Sequence, residues 1–438
     1  MKIEMEKIKN KIPIPIKNFF TKDAKMKLLV AYLVANLICI LAGSYIFVSG
    51  NIKPNFSYNN LALWERKLLE YNVIVFLVIV FEKKYKKDWS HLGILLITIF
   101  AFISAHFAIN KSMALDGALR RYEGLYAILY YLSVMLLSTF VSNKYKKALA
   151  VTVLLCGIIQ VSYAICQSFN LFNVKIFYHY KNLLITGLTN NPNFLGTYML
   201  LCLSYSIGLF IDSKNIVKSI LYAICIALFM CGLLISNATS CAVGLFFVMI
   251  YVLIFCLKKE HYIKIIAIFA ILIFITCLIA KLGKTTLLND FGTLKDETTE
   301  IAKGNFDDYY GTKRIYIWKE TLKIVPKYLL HGVGIDNFTN AFDGRALTFR
   351  AGNRTIMYDK VHNEYLQTLV TQGIFSIICY VALYTYVVIK GVKYSFKQNQ
   401  IYLILPVIGY IIQAFFNISV IEVAPIFFMA LGLCINKK

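Results

Sequence analysis

Apolar positions in this chain come in blocks rather than stripes. Runs of about twenty mostly apolar residues recur at 28–48, 62–82, 91–110, 124–142, 147–169, 194–211, 217–236, 239–257, 262–281, 363–389, 401–417 and 420–436. As a helix, such a run spans the roughly 30 Å hydrocarbon layer of a bilayer. Barrel strands would be shorter and would alternate apolar with polar positions. The pattern predicts an all-α, polytopic membrane helix bundle of about twelve transmembrane helices. The second run is the weakest, because the charged stretch Trp64-Glu-Arg-Lys belongs at an interface.

One connection stands apart. Residues 282–361 form a stretch far longer than an ordinary loop. Its Tyr309, Tyr310, Trp318, glycines and spaced apolar residues predict a folded, partly helical segment. Ile315, Ile317, Trp318, Leu322 and Val325 set a helical period over 313–328, with Pro326 to bend or end it. Such a helix suits a bilayer surface. The organisation read from the pattern is a Lys-rich tail (1–27), nine helices (28–281), the large loop (282–361) and three helices (362–438).

Charge sets the expected orientation. The chain carries 46 Lys and Arg against 23 Asp and Glu, a formal charge of +23. Lysines gather in the first 27 residues and at 83–87, 144–147, 258–264, 390–397 and 437–438, beside apolar runs. That placement predicts both termini in the cytoplasm and contact with anionic membrane lipids. The large loop then lies on the extracytoplasmic face of the cytoplasmic membrane. A nucleic-acid partner is not indicated, since no basic groove interleaved with aromatics is present. The N-terminus lacks the small-residue cleavage site of a signal peptide. All 11 cysteines fall in apolar runs without metal-ligand spacing and read as small hydrophobes.

Arginine breaks the lysine pattern. Arg66, Arg120, Arg121, Arg314, Arg345, Arg350 and Arg354 are all the arginines of the chain, and this topology puts every one outside. The orienting rule counts lysine and arginine alike, so it does not explain the split. Guanidinium differs from ammonium in gripping phosphate oxygens in pairs. A phosphate-bearing substrate at the outer face accounts for the segregation; salt bridges within an acidic loop account for any single arginine equally well. His362, in Val-His362-Asn363-Glu364-Tyr-Leu, heads the tenth apolar run. Its imidazole is suited to accept a proton near neutrality, and neighbouring arginines would keep it neutral. Position alone is equally satisfied by an interfacial anchor. In Thr189-Asn190-Asn191-Pro192-Asn193, Asn193 is expected to cap the sixth helix, with glycan binding by Asn191 and Asn193 as the alternative. Gly332-Val-Gly334-Ile-Asp-Asn-Phe338 reads as a tight turn. Asp307-Asp308 has nothing beside it to complete a metal shell. No Walker motif is present, so ATP is not expected as an energy source; no metal and no cofactor are expected either.

Taken in order, these pieces resemble the O-antigen ligase and O-antigen polymerase superfamily of bacterial membrane glycosyltransferases. The likeness covers most of the chain. It rests on Arg121-Tyr-Glu-Gly124-Leu, Gly187-Leu-Thr-Asn-Asn-Pro192-Asn193-Phe-Leu-Gly196, Arg314-Ile-Tyr-Ile-Trp318, Gly332-Val-Gly334-Ile-Asp-Asn-Phe338, His362-Asn363-Glu-Tyr-Leu366 followed by Gly373, and Phe415-Phe416-Asn417 with Ala424-Pro425. The resemblance implies a GT-C-type, metal-independent, inverting transferase. Such enzymes move a glycan from undecaprenyl diphosphate to a hydroxyl on a glycan, lipid or protein acceptor. It implies His362 as general base, helped by Asn363. Arg121 and Arg314 would bind diphosphate, with Arg120, Arg350 and Arg354 as further candidates, and Glu364 would sit with Asn191 and Asn193 toward acceptor or glycan. This chain departs from the pattern at Ser236-Asn-Ala-Thr-Ser240, where many members carry a Ser-Arg pair. The rival reading is a flippase for the same lipid-linked glycan. It would need charge at mid-membrane depth and an inverted repeat, and the apolar runs show neither. Ligase and polymerase are not separated by these motifs.

Overall fold

In the computed structural model the described residues are 21–48, 54–81, 88–119, 121–172, 177–179, 182–189, 191–305, 307–342, 347–351 and 354–435. Residues 1–20, 83–87, 437–438, Arg120, Asn190 and Arg345 therefore lie outside them, as do the side chains of His179, Arg350 and Arg354.

The chain is an all-α polytopic bundle. Its helices are α1 (Lys22–Val48), α2 (Pro54–Phe81), α3 (Trp89–His106), α4 (Lys111–Asp116), α5 (Leu125–Ser138), α6 (Asn143–Ser168), α7 (Pro192–Asp212), α8 (Ile216–Ser236), α9 (Thr239–Lys258) and α10 (Tyr262–Lys281). After these come α11 (Leu287–Ala302), α12 (Tyr310–Ile324), α13 (Glu364–Gln372), α14 (Ile374–Gln398), α15 (Leu405–Gln413) and α16 (Ala424–Cys434). Two small antiparallel hairpins interrupt them: β1 (Phe177–His179) with β2 (Asn182–Leu184), and β3 (Leu347–Ala351) with β4 (Arg354–Tyr358). The sequence pattern did not anticipate these hairpins, because strands this short leave no hydrophobic period.

Among the described residues eight helices are long and apolar enough to cross a membrane: α1, α3, α6, α7, α8, α9, α10 and α14. The expected count was about twelve. α5, α16 and the segment Ile401–Gln413 are apolar but shorter, while α2 is long but carries Glu65, Arg66, Lys67 and Glu70. α16 shows how a short helix is accommodated: all of its residues are buried. Its backbone ends meet protein instead of lipid, so it need not reach across the bilayer.

α7 runs through the centre and is entirely buried over its apolar window. It packs closely on its neighbours where glycine permits. A side chain at Gly208 would collide with the Tyr402 backbone, and one at Gly196 with Ala238. α10 is the opposite case, with Ile263 85%, Ile266 67% and Phe274 64% exposed. Apolar surface of this kind on a spanning helix is a lipid face. At the end of the bundle where α6 starts, buried Lys146 donates to the carbonyls of Leu433 (2.6 Å) and Ile435 (3.1 Å). Lys264 likewise donates to Ile211 and to Ser213 (2.7 Å). These lysines satisfy helix C-terminal carbonyls.

The predicted tenth span, 363–389, is not continuous. It breaks at Gly373 (φ 86°) into α13 and α14. The backbone turns there because Leu329 accepts from Ile374 N at 2.7 Å and Val370 accepts from Val333 N at 2.9 Å. A Cβ on Gly373 would strike the Leu330 carbonyl, so the loop end is wedged into the break. The segment between α10 and α13 has its own small core of Ile317, Phe338, Leu347, Tyr358, Val361 and Val370. The period read over 313–328 corresponds to α12 and the 3-10 turn Val325–Tyr328 that contains Pro326.

Candidate active site

The local fold around His362 is strained and over-determined. His362 has φ 56°, Tyr122 φ 53° and Asp336 φ 56°, left-handed values that cost a non-glycine residue about 1–2 kcal/mol. Such strain persists only where surrounding bonds impose it. Here the bonds are visible. Val361, fully buried, donates its N–H to Gln367 Oε1 (2.8 Å), and its carbonyl accepts from Trp318 Nε1 (3.1 Å). α12 therefore fixes the loop that bears the histidine. Immediately after it, Asn363 caps α13 by accepting from Leu366 N at 3.0 Å.

α12 also delivers Arg314. Gly311, Thr312 and Lys313 are all left-handed, so regular helix begins only at Arg314. The side chain is largely sequestered: Nη1 donates to the Gly311 carbonyl at 3.3 Å, while Nε has no hydrogen-bond partner. Arg121 arrives from the loop between α4 and α5. That loop is pinched by Gly117 (φ 90°), where any Cβ would overlap the Tyr122 backbone. Arg121 holds Asp359 in a fork, Nε to Oδ2 at 2.6 Å and Nη2 to Oδ1 at 3.0 Å.

The three predicted residues Arg121, Arg314 and His362 thus meet. Burial first, then the charges of Arg314 and Arg121, lower the His362 pKa to about 4, with Asp359 opposing. Neither ring nitrogen is hydrogen-bonded to a described residue, so a neutral imidazole is left free to take a proton. Burial pushes the Asp359 carboxyl up, but Arg121 outweighs it and leaves the group below its ordinary value. Burial lowers the pKa of Arg314, which still stays protonated.

A buried ion triad underlies this layer. Lys360 Nζ lies 2.5 Å from Asp336 Oδ1 and 3.2 Å from Glu123 Oε2. Glu123 also accepts from Ser419, and Asp336 Oδ2 from Ala118 N at 2.6 Å. Burial would lower the Lys360 pKa, yet Asp336 and Glu123 raise it above the ordinary value. The turn at 332–338 is thus the anchor of the site, not only a tight bend. Asn337 reinforces it by accepting from Asn110 N at 2.9 Å. A cavity of about 50 Å³, lined by Glu123, Asp336, Lys360, Glu364, Gln367 and Ser419 among others, adjoins the triad. That is room for water. Asp336, Asp359 and Lys360 were missed by the sequence reading. The available signal was the charged pair Asp359-Lys360 just before His362.

Other predicted residues are placed differently. Asn191, not Asn193, caps α7, accepting from Asn193 N at 2.8 Å. Pro192 explains the shift: a proline at the first helical position has no N–H to satisfy, so the cap falls on the residue before it. Glu364 accepts from the Tyr410 hydroxyl at 3.1 Å and lines the cavity beside the triad. Arg350 and Arg354 stand on the β3–β4 hairpin. Arg66 pairs with Asp116. Where a Ser-Arg pair was looked for, Asn237 (φ 53°) accepts from Thr286 N at 2.7 Å and ties α11 to the α8–α9 turn. Asp308 pairs with Lys319 at 2.7 Å, and Asp307 accepts from Tyr309 N. Among the described residues no cluster of His, Cys, Asp and Glu suits a metal ion.

Residues 223–381, from α8 into α14, match the model of the O-antigen ligase family. No curated protein matches the chain. The matched stretch contains Arg314 and His362 but not Arg121; that the fold returns Arg121 to the same place is a contribution of the tertiary structure.

Proposed function

From the match of residues 223–381 to the O-antigen ligase family, we propose that this chain is a membrane glycosyltransferase of the O-antigen ligase and polymerase kind. Its donor is a glycan on undecaprenyl diphosphate, and its acceptor is a hydroxyl of a surface glycan or lipid. The reaction takes place at the extracytoplasmic face of the cytoplasmic membrane. The observation that carries the reading is that His362, at the head of α13 and without a hydrogen-bond partner among the described residues, lies within the electrostatic reach of both Arg314 and Arg121.

The chemistry balances within these residues. His362 takes the proton of the acceptor hydroxyl. The oxygen attacks the anomeric carbon of the donor sugar from the face opposite the leaving group, which inverts its configuration. The bond from that carbon to the diphosphate oxygen breaks, and the lipid diphosphate departs with its electron pair. Arg314 and Arg121 offset the charge that grows on it, the place a divalent cation would otherwise fill. A general base of this kind contributes typically 10²–10⁴ in rate. Asp359 occupies the Arg121 fork in the resting state, so diphosphate entry exchanges one anion for another.

The test is transfer of glycan from lipid-linked donor to acceptor by the purified protein without ATP or metal. His362→Ala is expected to lower the rate at least 10²-fold at unchanged abundance. Arg314→Lys should be nearly as severe, because an ammonium does not reproduce two-point binding. Near-normal product from His362→Ala would remove the base from this mechanism. Flipping of the intact lipid-linked glycan without a new bond would favour the transporter.

A further inference from the structure

Two ion pairs of different character join the segment 121–123 to the approach to α13. Glu123 holds Lys360, and both side chains are buried. Arg121 holds Asp359, but that pair is open, with the Asp359 side chain 44% exposed. Lys360 is also bound to Asp336. The backbone beside Asp359 is therefore anchored, while its carboxylate stays within reach of a ligand. The Arg121 contact is two-pronged, Nε to Oδ2 and Nη2 to Oδ1. Phosphate oxygens take the same fork. An exposed pair is weakly held, and a diphosphate brings more charge and more oxygens than one carboxylate, so the exchange favours it.

His362 is the partner left for the displaced carboxylate. The chain bends at Asp359, Lys360 and His362, and Asp359 already acts electrostatically on the imidazole three residues on. The other charged groups that act on His362 are Arg314 of α12, Arg121 of the α4–α5 loop and Lys360 of its own segment, all cationic. Lys360 is committed to the buried triad. Arg314 gives Nη1 to the Gly311 carbonyl and has its Nε enclosed; in the transferase reading it is the second contact of the diphosphate. The His362 ring has no hydrogen bond to a described residue. A carboxylate that accepts from one ring N–H selects the tautomer, leaves the other nitrogen to take a proton and stabilises the imidazolium that results. It also restores basicity that the surrounding cations depress.

We propose that Asp359 is a positioning residue that donor binding switches from Arg121 to His362, so that the base is oriented only when diphosphate is present. The role of the base rests on the transferase reading; the exchange of partners does not. When the diphosphate leaves, Asp359 returns to Arg121, and the imidazolium, now facing chiefly cations, releases the acceptor's proton to water. Inorganic diphosphate is the probe, with the full chain in nanodiscs. Asp359→Asn, checked for wild-type melting, removes the carboxylate that the probe has to displace. It should bind the probe about fivefold tighter or more, while kcat for transfer falls about tenfold or more. General damage to the site would weaken binding as well. Asp359→Glu should recover part of the lost rate. In NMR of labelled histidine, the resonances missing from His362→Ala report this ring. Diphosphate should settle the wild-type ring into one tautomer and should raise its pKa by more than in Asp359→Asn, because the ligand's own charge acts in both. Averaged tautomers in the wild type, an equal rise in the two proteins, equal or weaker probe binding by Asp359→Asn, or an unchanged kcat would each overturn the proposal. Transfer that still needs His362 in that event would leave the transferase reading standing. The exchange of partners in a protein whose His362→Ala variant transfers glycan normally would keep the switch and defeat that reading.

Discussion

The base role proposed for His362 requires an unprotonated ring, and its neighbours decide the pH at which that ends. Burial and two guanidinium groups lower its pKa to about 4, against roughly 6.5 in an unfolded chain. Between those values the unfolded state binds more protons, so the contribution of His362 to stability is complete above about pH 6.5 and is lost as pH falls toward 4. The same shift predicts a kcat/KM that stays flat from neutrality to about pH 5 and declines only near pH 4. Bound diphosphate adds negative charge, so the acid limb of kcat should lie higher than that of kcat/KM. Arg121→Gln removes one cation and frees Asp359, and both changes move the limb upward. A wild-type limb near 6.5, or one unmoved in Arg121→Gln, would contradict this electrostatic account.

At the scale of elements, the site depends on α12 holding a loop it does not contain. Trp318 donates to the Val361 carbonyl, and Arg314 lies four residues earlier on the same helix. One helix thus carries Arg314 and also fixes the backbone just before His362. Trp318→Phe keeps most of the packing but removes the N–H, a loss of about 0.5–1.5 kcal/mol. Its expected effect is a fall of several-fold in kcat with donor KM nearly unchanged, read by steady-state transfer kinetics. An unaltered kcat would show that the loop is held without this bond. The Gly373 break belongs to the same scale. It lets α13 present His362 to the arginines while α14 continues as a membrane-length helix, which one continuous helix could not do.

For the whole molecule, the triad Lys360–Asp336–Glu123 joins three segments distant in sequence: the α4–α5 loop, the 332–338 turn and the approach to α13. All three side chains are buried. Removing one partner of a buried ion group leaves uncompensated charge and costs about 3–5 kcal/mol. Lys360→Met should therefore lower thermal stability and abundance markedly, measured by unfolding of the detergent-solubilised protein. Wild-type melting would mean that the two carboxylates are satisfied without the lysine.

The sequence alone determined the class of fold, because apolar blocks of bilayer length admit few structures besides helices. It also pointed to the arginines, because their confinement to a few segments is a chemical signal that hydropathy does not produce, and to His362 by its place at the head of an apolar run; the resemblance singled out Arg121 and Arg314 among the arginines. It did not determine the break at Gly373, the short buried helices, the cap at Asn191, or the parts played by Asp336, Asp359 and Lys360. Those follow from contacts between residues far apart in the chain: carbonyls wedged against a glycine, carboxylates meeting a buried ammonium, a tryptophan holding another segment's backbone. Only folding brings such groups together. A one-dimensional pattern records which groups are available and not which of them will become neighbours.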